Sequence, residues 1–268
     1  MKTSPPGRPT GSVLGPGPLL GAGLGGFVDG SVSRVVEAVT DAVAAARHAR
    51  ALHPRGRTFR ATVSTLGGGG YGVDLLDRAG HYQALVRLSR GAGLPEPWPD
   101  VLGIAVRVRD GGGPGVDLDL LTSTAVARAP LARHVPMLRR RLAVTYTTLA
   151  GYDTRHGRRY LAVLPDPAAR DLGAELDTLT ILAVGGRVRF LLAIAAPFGG
   201  WRVFGRVVLG EPVTSSVDQA SAFDPVVRAA PGLRTDGLLW RLRAAAYRGS
   251  RRGRGRPAVP DDQAAGCR

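Results

Sequence analysis

The fold is decided by two neighbouring segments, His81-Tyr-Gln-Ala-Leu-Val-Arg-Leu-Ser89 and Val101-Leu-Gly-Ile-Ala-Val-Arg-Val-Arg109. Both are rich in apolar and β-branched residues, and a Gly- and Pro-containing stretch separates them, as is typical of successive strands. In a strand, Val86 and Leu88 point to one face, and Arg87 and Ser89 point to the other. An arginine that faces a core needs a partner anion, whereas an arginine on a solvent face needs none, and the sequence leaves both options open.

Further strands are predicted on both sides of this pair, with a Gly-rich loop at Leu66–Gly72. They begin at Phe59, Asp117, Arg158, Arg187 and Trp201. Seven strands with Gly/Pro turns predict an antiparallel sheet closed into a barrel. Helices are predicted over residues 31–47 and 236–248, and residues 130–150 are predicted to form a helical or mixed connection. The predicted class is α+β, an antiparallel β-barrel with flanking helices.

The composition predicts one ordered domain. Residues 1–30 are a flexible Gly/Pro-rich leader, residues 31–255 form the domain, and residues 256–268 form a flexible tail. No apolar run is long enough to span a membrane, and the glycines and prolines near the start suit a signal peptide poorly, so we expect a cytoplasmic protein. The single cysteine, Cys267, and five scattered histidines do not predict a zinc site.

The charge balance is strongly basic. The chain has 36 Lys and Arg against 21 Asp and Glu, a formal net charge of +15. Such a charge favours acidic partners, yet no helix-turn-helix or zinc-finger pattern is present, so we expect no specific nucleic-acid partner. A basic nucleic-acid-binding protein that uses residues 248–256 is the least favoured alternative.

The window Arg243-Ala-Ala-Ala-Tyr247 indicates a cofactor. On a helix, Arg243 and Tyr247 lie four residues apart on one face. A guanidinium beside a phenol oxygen favours the ionised phenol, and a tyrosinate is the axial haem ligand of catalases. The arginines that follow, among them Arg254, suit the propionates of such a haem. A solvated Arg-rich tail is the simpler alternative.

Two upstream segments offer candidate partners for a haem. His53 follows Arg50 at a predicted helix-to-strand junction, where it suits a distal acid–base catalyst, although a lone loop histidine is equally compatible with the pattern. The polar cluster Asp119-Leu-Leu-Thr122-Ser123-Thr124 lines a pocket or forms a turn.

Several collinear motifs resemble the haem catalase superfamily over roughly residues 45–125 and 220–255. Catalases have Arg-Val-Val-His ahead of Gly and Phe, then Val-Arg-Phe-Ser, then Arg-Gly-Phe-Ala-Val-Lys, then Phe-Asp-Pro and Pro-Gly-Ile upstream of Arg-Leu-Phe-Ser-Tyr. The corresponding residues here are Arg50-Ala-Leu-His53 with Gly56 and Phe59, Val86-Arg-Leu-Ser89, Leu102-Gly-Ile-Ala-Val-Arg107, Phe223-Asp-Pro225, Pro231-Gly-Leu233 and Arg243-Ala-Ala-Ala-Tyr247.

The resemblance implies a role for each matching residue. It implies haem b as the cofactor, Tyr247 as the iron ligand and Arg243 as its partner. His53 is implied as the distal catalytic histidine, with Ser89 as its hydrogen-bond partner. The arginines implied to bind the propionates are Arg50, Arg87 and Arg254.

The departures from the family pattern decide between functions. Where catalases have Asp-Leu-Val-Gly-Asn-Asn-Thr-Pro, this chain has Asp119-Leu-Leu-Thr122-Ser-Thr-Ala125, so the distal asparagine is replaced by Thr122 or Ser123. The haem-stacking phenylalanine is also missing. We expect a small catalase-related peroxidase acting on hydrogen peroxide or organic hydroperoxides with an unknown reductant. The alternative is a degenerate barrel that binds haem or lipid without turnover. A homo-oligomer is one option for the assembly.

Overall fold

The barrel and its connections are seen in a computed structural model that describes residues 55–91, 93–95, 98–126, 133–169, 172, 176–236 and 240–241. Eight antiparallel strands form a closed barrel. They are β1 (Arg55–Leu66), β2 (Ala79–Arg90), β3 (Asp100–Gly113), β4 (Val116–Thr124), β6 (Tyr146–Thr147), β8 (Gly157–Pro165), β9 (Arg189–Ala195) and β10 (Arg202–Pro212). Two short strands lie outside the ring: β5 (Leu138–Arg139) pairs with β3, and β7 (Tyr152–Thr154) pairs with β8.

The order around the barrel is β2, β1, β10, β9, β8, β6, β4, β3, and the pairing of β2 with β3 closes the ring. All seven predicted strands are present, and the predicted barrel is confirmed. The eighth strand, β6, was not predicted. It is only two residues long, which is too short for a periodic pattern to reveal it. The predicted helical or mixed connection contains β5 and β6 but no α-helix within its described part, residues 133–150.

Alternation along the strands separates a packed interior from an outer face. Val86 and Leu88 are fully buried inside the barrel, where they meet large apolar side chains from every neighbouring strand. Interior residues of the other long strands include Phe59, Val63, Leu102, Ile104, Leu118, Leu120, Leu161, Val163, Phe190, Leu192, Val207 and Leu209. Because these side chains fill the interior, ligand chemistry on β1–β4 has to use the outer face.

Three α-helices lie entirely within the described ranges: α1 (Asp74–Asp77), α2 (Leu176–Val184) and α3 (Ser215–Ala220). The first follows the predicted loop after β1, where Gly67 has φ +72° and a Cβ would lie 2.5 Å from Ala79 N. Helices α2 and α3 were not predicted. The helix predicted over 31–47 lies outside the described residues. Within the one predicted over 236–248, only Asp236, Trp240 and Arg241 are described, and the latter two are helical.

The chain after β10 crosses the outer face of four strands. Val213 N donates to Thr58 O on β1, Asp119 N on β4 donates to Arg228 O, and Arg234 and Asp153 exchange backbone hydrogen bonds. We call residues 213–236 the outer segment. It ends beside Trp240, whose indole Nε1 donates to Gly151 O at 2.8 Å and whose ring lies 4.9 Å from that of Tyr152. The outer segment therefore fixes the point from which the chain continues toward Arg243 and Tyr247.

Candidate functional site

Small residues form one continuous row on the outer face of β1–β4. Gly56, Ser89, Gly103 and Ser123 are direct cross-strand partners on successive strands. Directly paired residues of antiparallel strands point to the same face. The next row along the strands has the same form, and its residues on β1 to β4 are Thr58, Arg87, Ala105 and Leu121. We call these two rows the outer-face site. Five of its eight residues are Gly, Ala or Ser, so few side chains project from its floor.

Gly56 permits a close approach between β1 and β2 at this floor. A Cβ at this position would lie 2.5 Å from Leu88 O and 2.9 Å from Arg87 Nη2. Since the first of these atoms is backbone, the two strands would have to separate to accept any side chain. A glycine at residue 56 therefore keeps the head of Arg87 close to the sheet surface.

Arg87 lies on the outer face, yet only 3% of it is exposed. Its Nη1 donates to Asp218 Oδ1 of α3, and Thr58 Oγ1 donates to the same oxygen. The anion that a buried arginine requires is therefore supplied in part by Asp218. Arg87 Nε is buried and has no hydrogen-bond partner within the described ranges. One edge of the guanidinium thus remains a donor for a second acceptor.

Ser89 and Thr122 are not brought together. The Ser89 hydroxyl lies on the outer face, 3.3 Å from Gly103 O. Thr122 is the cross-strand partner of Ile104, and Ile104 is the partner of the interior residue Leu88, so the Thr122 side chain lies on the interior face. Its hydroxyl donates to Ile104 O at 2.8 Å. Ser123, the other candidate for this role, shares the row of Ser89 two strands away, a separation of roughly 10 Å. Residues 119–124 are strand and not a turn.

A buried ion pair borders the outer-face site. Arg107 Nε and Nη2 donate to Asp119 Oδ1 and Oδ2, both at 2.8 Å, and the guanidinium lies 5.1 Å from the centre of the Phe223 ring. Asp119 also accepts from Asp224 N at 2.7 Å, and Arg107 donates to Ala222 O at 2.5 Å. The Arg107–Asp119 ion pair therefore holds the Phe223-Asp-Pro225 motif against β3 and β4. The sequence pattern did not predict this ion pair.

The pair predicts a pH dependence of stability. Complete burial raises the pKa of Asp119 to about 6 from 3.8, against the hydrogen bonds and charge of Arg107, which lower it. The folded state protonates Asp119 at a higher pH than the unfolded chain does, so this protonation favours folding. Its contribution to the free energy of unfolding is complete below the unfolded pKa and is lost as the pH rises through about 6. On acidification from about pH 8 to 4, wild type should gain on the order of 2 kcal/mol relative to Asp119→Asn. Urea unfolding across this range measures the difference, and a pH-independent gap contradicts the assignment.

The remaining predicted site residues lie outside the described residues. They are Arg50, His53, Arg243, Tyr247 and Arg254. The nearest described positions are Arg55, which opens β1 two residues after His53, and Arg241, two residues before Arg243. Within the described residues no group of three or more His, Cys, Asp or Glu side chains is arranged to hold a metal ion. None of the described helices is long and apolar enough to cross a membrane.

The described part of the site has two features that suit an acidic group such as haem. The floor consists mainly of small residues, and the buried Arg87 Nε is a donor that lacks an acceptor among the described residues. A carboxylate suits that donor, because guanidinium and carboxylate form strong charge-assisted hydrogen bonds. The open donor of Arg87 is therefore compatible with a carboxylate such as a haem propionate.

Comparison with known proteins identifies the fold. No protein-family model matches the chain, and no curated protein sequence matches it. Among solved structures, a bacterial catalase matches with a TM-score of 0.56 and 15% identity, over 78% of this chain and 57% of that chain. A fungal catalase matches with a TM-score of 0.53 and 14% identity, over 78% of this chain and 60% of that chain. The chain has a catalase-like barrel and spans about three fifths of the length of these catalases.

Proposed function

We propose that this chain is a small haem-dependent peroxidase of the catalase-related type, acting on hydrogen peroxide or an organic hydroperoxide. The observation that supports this most is the outer-face site: a floor of small residues next to a buried arginine whose Nε has no acceptor among the described residues, on a catalase-like barrel. Of the residues that match the catalase motifs, Arg87 and Ser89 lie on this floor, and Phe223-Asp-Pro225 lies in the outer segment that borders it. Both the fold and the sequence resemblance thus favour the same face of the barrel.

The residues that would hold the cofactor come from both ends of the chain. Tyr247, kept ionised by Arg243, would bind the iron. Arg87 would pair with a propionate through Nε, and Arg50 and Arg254 would complete the set of cations. A ferric haem in this position supplies the redox chemistry that peroxide cleavage requires.

His53 would move the proton of the hydroperoxide, and Ser89 and Ser123 would assist it by hydrogen bonds. His53 would take the proton from one peroxide oxygen and deliver it to the other as the O–O bond breaks, so that the second oxygen leaves as water or as an alcohol. Ser89 would hold the imidazole in position. Overall, one hydroperoxide, with two electrons and two protons from a reductant, would give one alcohol or water and one further molecule of water. Ser123, on the same row as Ser89, would offer one hydrogen bond to the peroxide in place of the asparagine amide.

The alternative is a barrel that binds haem or lipid without turnover, and the missing distal asparagine favours it. Asp218 bears on haem binding in either case, because its carboxylate already accepts from Arg87, the arginine that a propionate would use. Peroxide-dependent oxidation of a phenolic reductant by the haem-loaded protein, compared with free haem at equal concentration, separates the two functions. Turnover well above that of free haem supports the peroxidase, and turnover equal to that of free haem contradicts it.

Removing the charge of Asp218 is expected to strengthen haem binding. Asp218→Asn takes away a carboxylate that competes with a propionate for Arg87, so the Kd for haem should fall by about threefold to tenfold. Absorbance titration with haem measures the effect. Glu211→Gln removes an exposed acid from β10, close to α3 in sequence, and should leave the Kd unchanged. Weaker binding by Asp218→Asn would show that Arg87 does not face the cofactor.

A further inference from the structure

A cavity lies at the opposite end of β1 from the outer-face site. Its volume is about 230 Å³, and the Gly-rich loop that follows β1 forms one wall. Gly56 and Leu66 are ten residues apart on one strand, which corresponds to about 33 Å. The cavity is therefore separate from the proposed haem face. Its apolar walls come from Leu66, Leu76, Ile194, Val203 and Phe204.

Two polar side chains converge on this apolar cavity. Arg202 Nη2 donates to the Tyr71 hydroxyl at 3.3 Å, and both residues line the cavity. Within the part of the chain that the structure describes, no carboxylate lies within ion-pair distance of Arg202. A guanidinium at the edge of an apolar cavity, without an acidic neighbour to neutralise it there, favours a ligand that is apolar in its body and anionic at one end.

The wall that presents Tyr71 is held in place by several contacts. The Asp77 carboxylate accepts backbone hydrogen bonds from Tyr71 at 2.6 Å, Gly72 at 2.5 Å and Val73 at 3.1 Å. The Tyr71 ring meets the His156 ring edge to face at 5.0 Å, and His156 Nε2 is hydrogen-bonded to Gly70 O at 2.8 Å. Because Asp77 is turned toward these amides, its charge is already satisfied. The phenol is therefore preorganised and contributes a rigid donor at the cavity.

The cavity size sets the size of the ligand. An apolar cavity of about 150 Å³ accommodates benzene. A volume of about 230 Å³ therefore has room for one six-membered ring and a carboxylate attached to it. A carboxylate at Arg202 would accept hydrogen bonds from the guanidinium and from the Tyr71 hydroxyl, which can rotate to donate.

We propose that the cavity between the Gly-rich loop and the start of β10 binds a small apolar carboxylic acid. The ring or short alkyl body lies among Leu66, Ile194 and Phe204, and the carboxylate lies on Arg202 and Tyr71. This site is independent of the proposed peroxidase activity. The proposal assigns a ligand class and not a reaction.

Calorimetric titration of the full chain without haem tests the proposal. The probes are benzoate, benzamide as the neutral isostere, and acetate as the anion without an apolar body. Benzoate should bind in a saturable manner with a Kd on the order of 1 mM, and benzamide and acetate should bind at least about tenfold more weakly. Absence of saturable benzoate binding, or equal binding of benzoate and benzamide, overturns the proposal.

Substitutions at the two polar residues identify the site. Arg202→Gln should weaken benzoate binding by about tenfold, and Tyr71→Phe by about threefold, because each removes a hydrogen bond to the carboxylate. Arg206→Gln, which changes an exposed arginine on the same strand, should have no effect. Unchanged binding by both Arg202→Gln and Tyr71→Phe overturns the assignment. Tyr247→Phe should bind benzoate like wild type. The benzoate proposal and the haem proposal can therefore fail independently of each other.

Discussion

Replacing Arg107 with methionine is expected to lower the free energy of unfolding by about 3–5 kcal/mol at neutral pH. The variant leaves Asp119, which is 0% exposed, without its two guanidinium hydrogen bonds. Asp224 N remains as a donor, but one amide does not offset the cost of a fully buried carboxylate. Urea unfolding followed by circular dichroism measures the loss.

Two features distinguish this prediction from a general loss of packing. The loss should shrink on acidification toward about pH 5, because in the variant Asp119 takes up a proton and avoids the buried charge. Arg158→Met is the matched control, since it removes an equally bidentate arginine from Asp153 where both side chains are partly exposed. That control should cost about 1 kcal/mol or less. Equal losses in the two variants would contradict the role assigned to the Arg107–Asp119 pair.

Replacing His53 with alanine is expected to lower kcat for peroxide-dependent oxidation by about 10²- to 10⁴-fold. The proposed role of this imidazole is proton transfer and not ligation, so the haem content and the absorption spectrum should remain those of wild type. Steady-state kinetics with a saturating phenolic reductant measure the effect. His81→Ala removes an exposed histidine at the start of β2 and should leave kcat unchanged. An unchanged kcat in His53→Ala would exclude the histidine as the acid–base group.

Much of the barrel could be predicted from the sequence because its long strands alternate or run apolar between Gly and Pro turns. Alternation identified the outer face of β2, since Val86 and Leu88 are interior and Arg87 and Ser89 are not. Helix α2 was missed because its sequence, Leu176-Asp-Thr-Leu-Thr-Ile-Leu-Ala-Val184, is mostly apolar and does not separate its apolar and polar residues with a helical period. Helix α3 has only six residues, and Thr214 makes no side-chain capping bond to mark its start.

The site was less accessible to sequence reasoning for two physical reasons. The partner of Arg87 is Asp218, which is 131 residues away, and only the fold brings the two together. The choice between Thr122 and Ser123 depends on a one-residue register, and such a shift moves a side chain to the opposite face of a sheet. Motif matching aligns this segment only to within that one residue, whereas the pairing of β3 with β4 places Ser123 on the outer face.

The central claim is that Tyr247 anchors a haem on the outer face of this barrel. The most direct test is the visible absorption spectrum of the full chain after expression with added haem, measured for wild type and Tyr247→Phe. Wild type should take up haem and show a high-spin ferric tyrosinate spectrum. Tyr247→Phe should lose that spectrum, with haem affinity weakened by at least about a hundredfold, since loss of the iron ligand exceeds the effect of losing an outer-shell partner. A wild-type protein that takes up no haem, or a Tyr247→Phe spectrum identical to that of wild type, would contradict the claim.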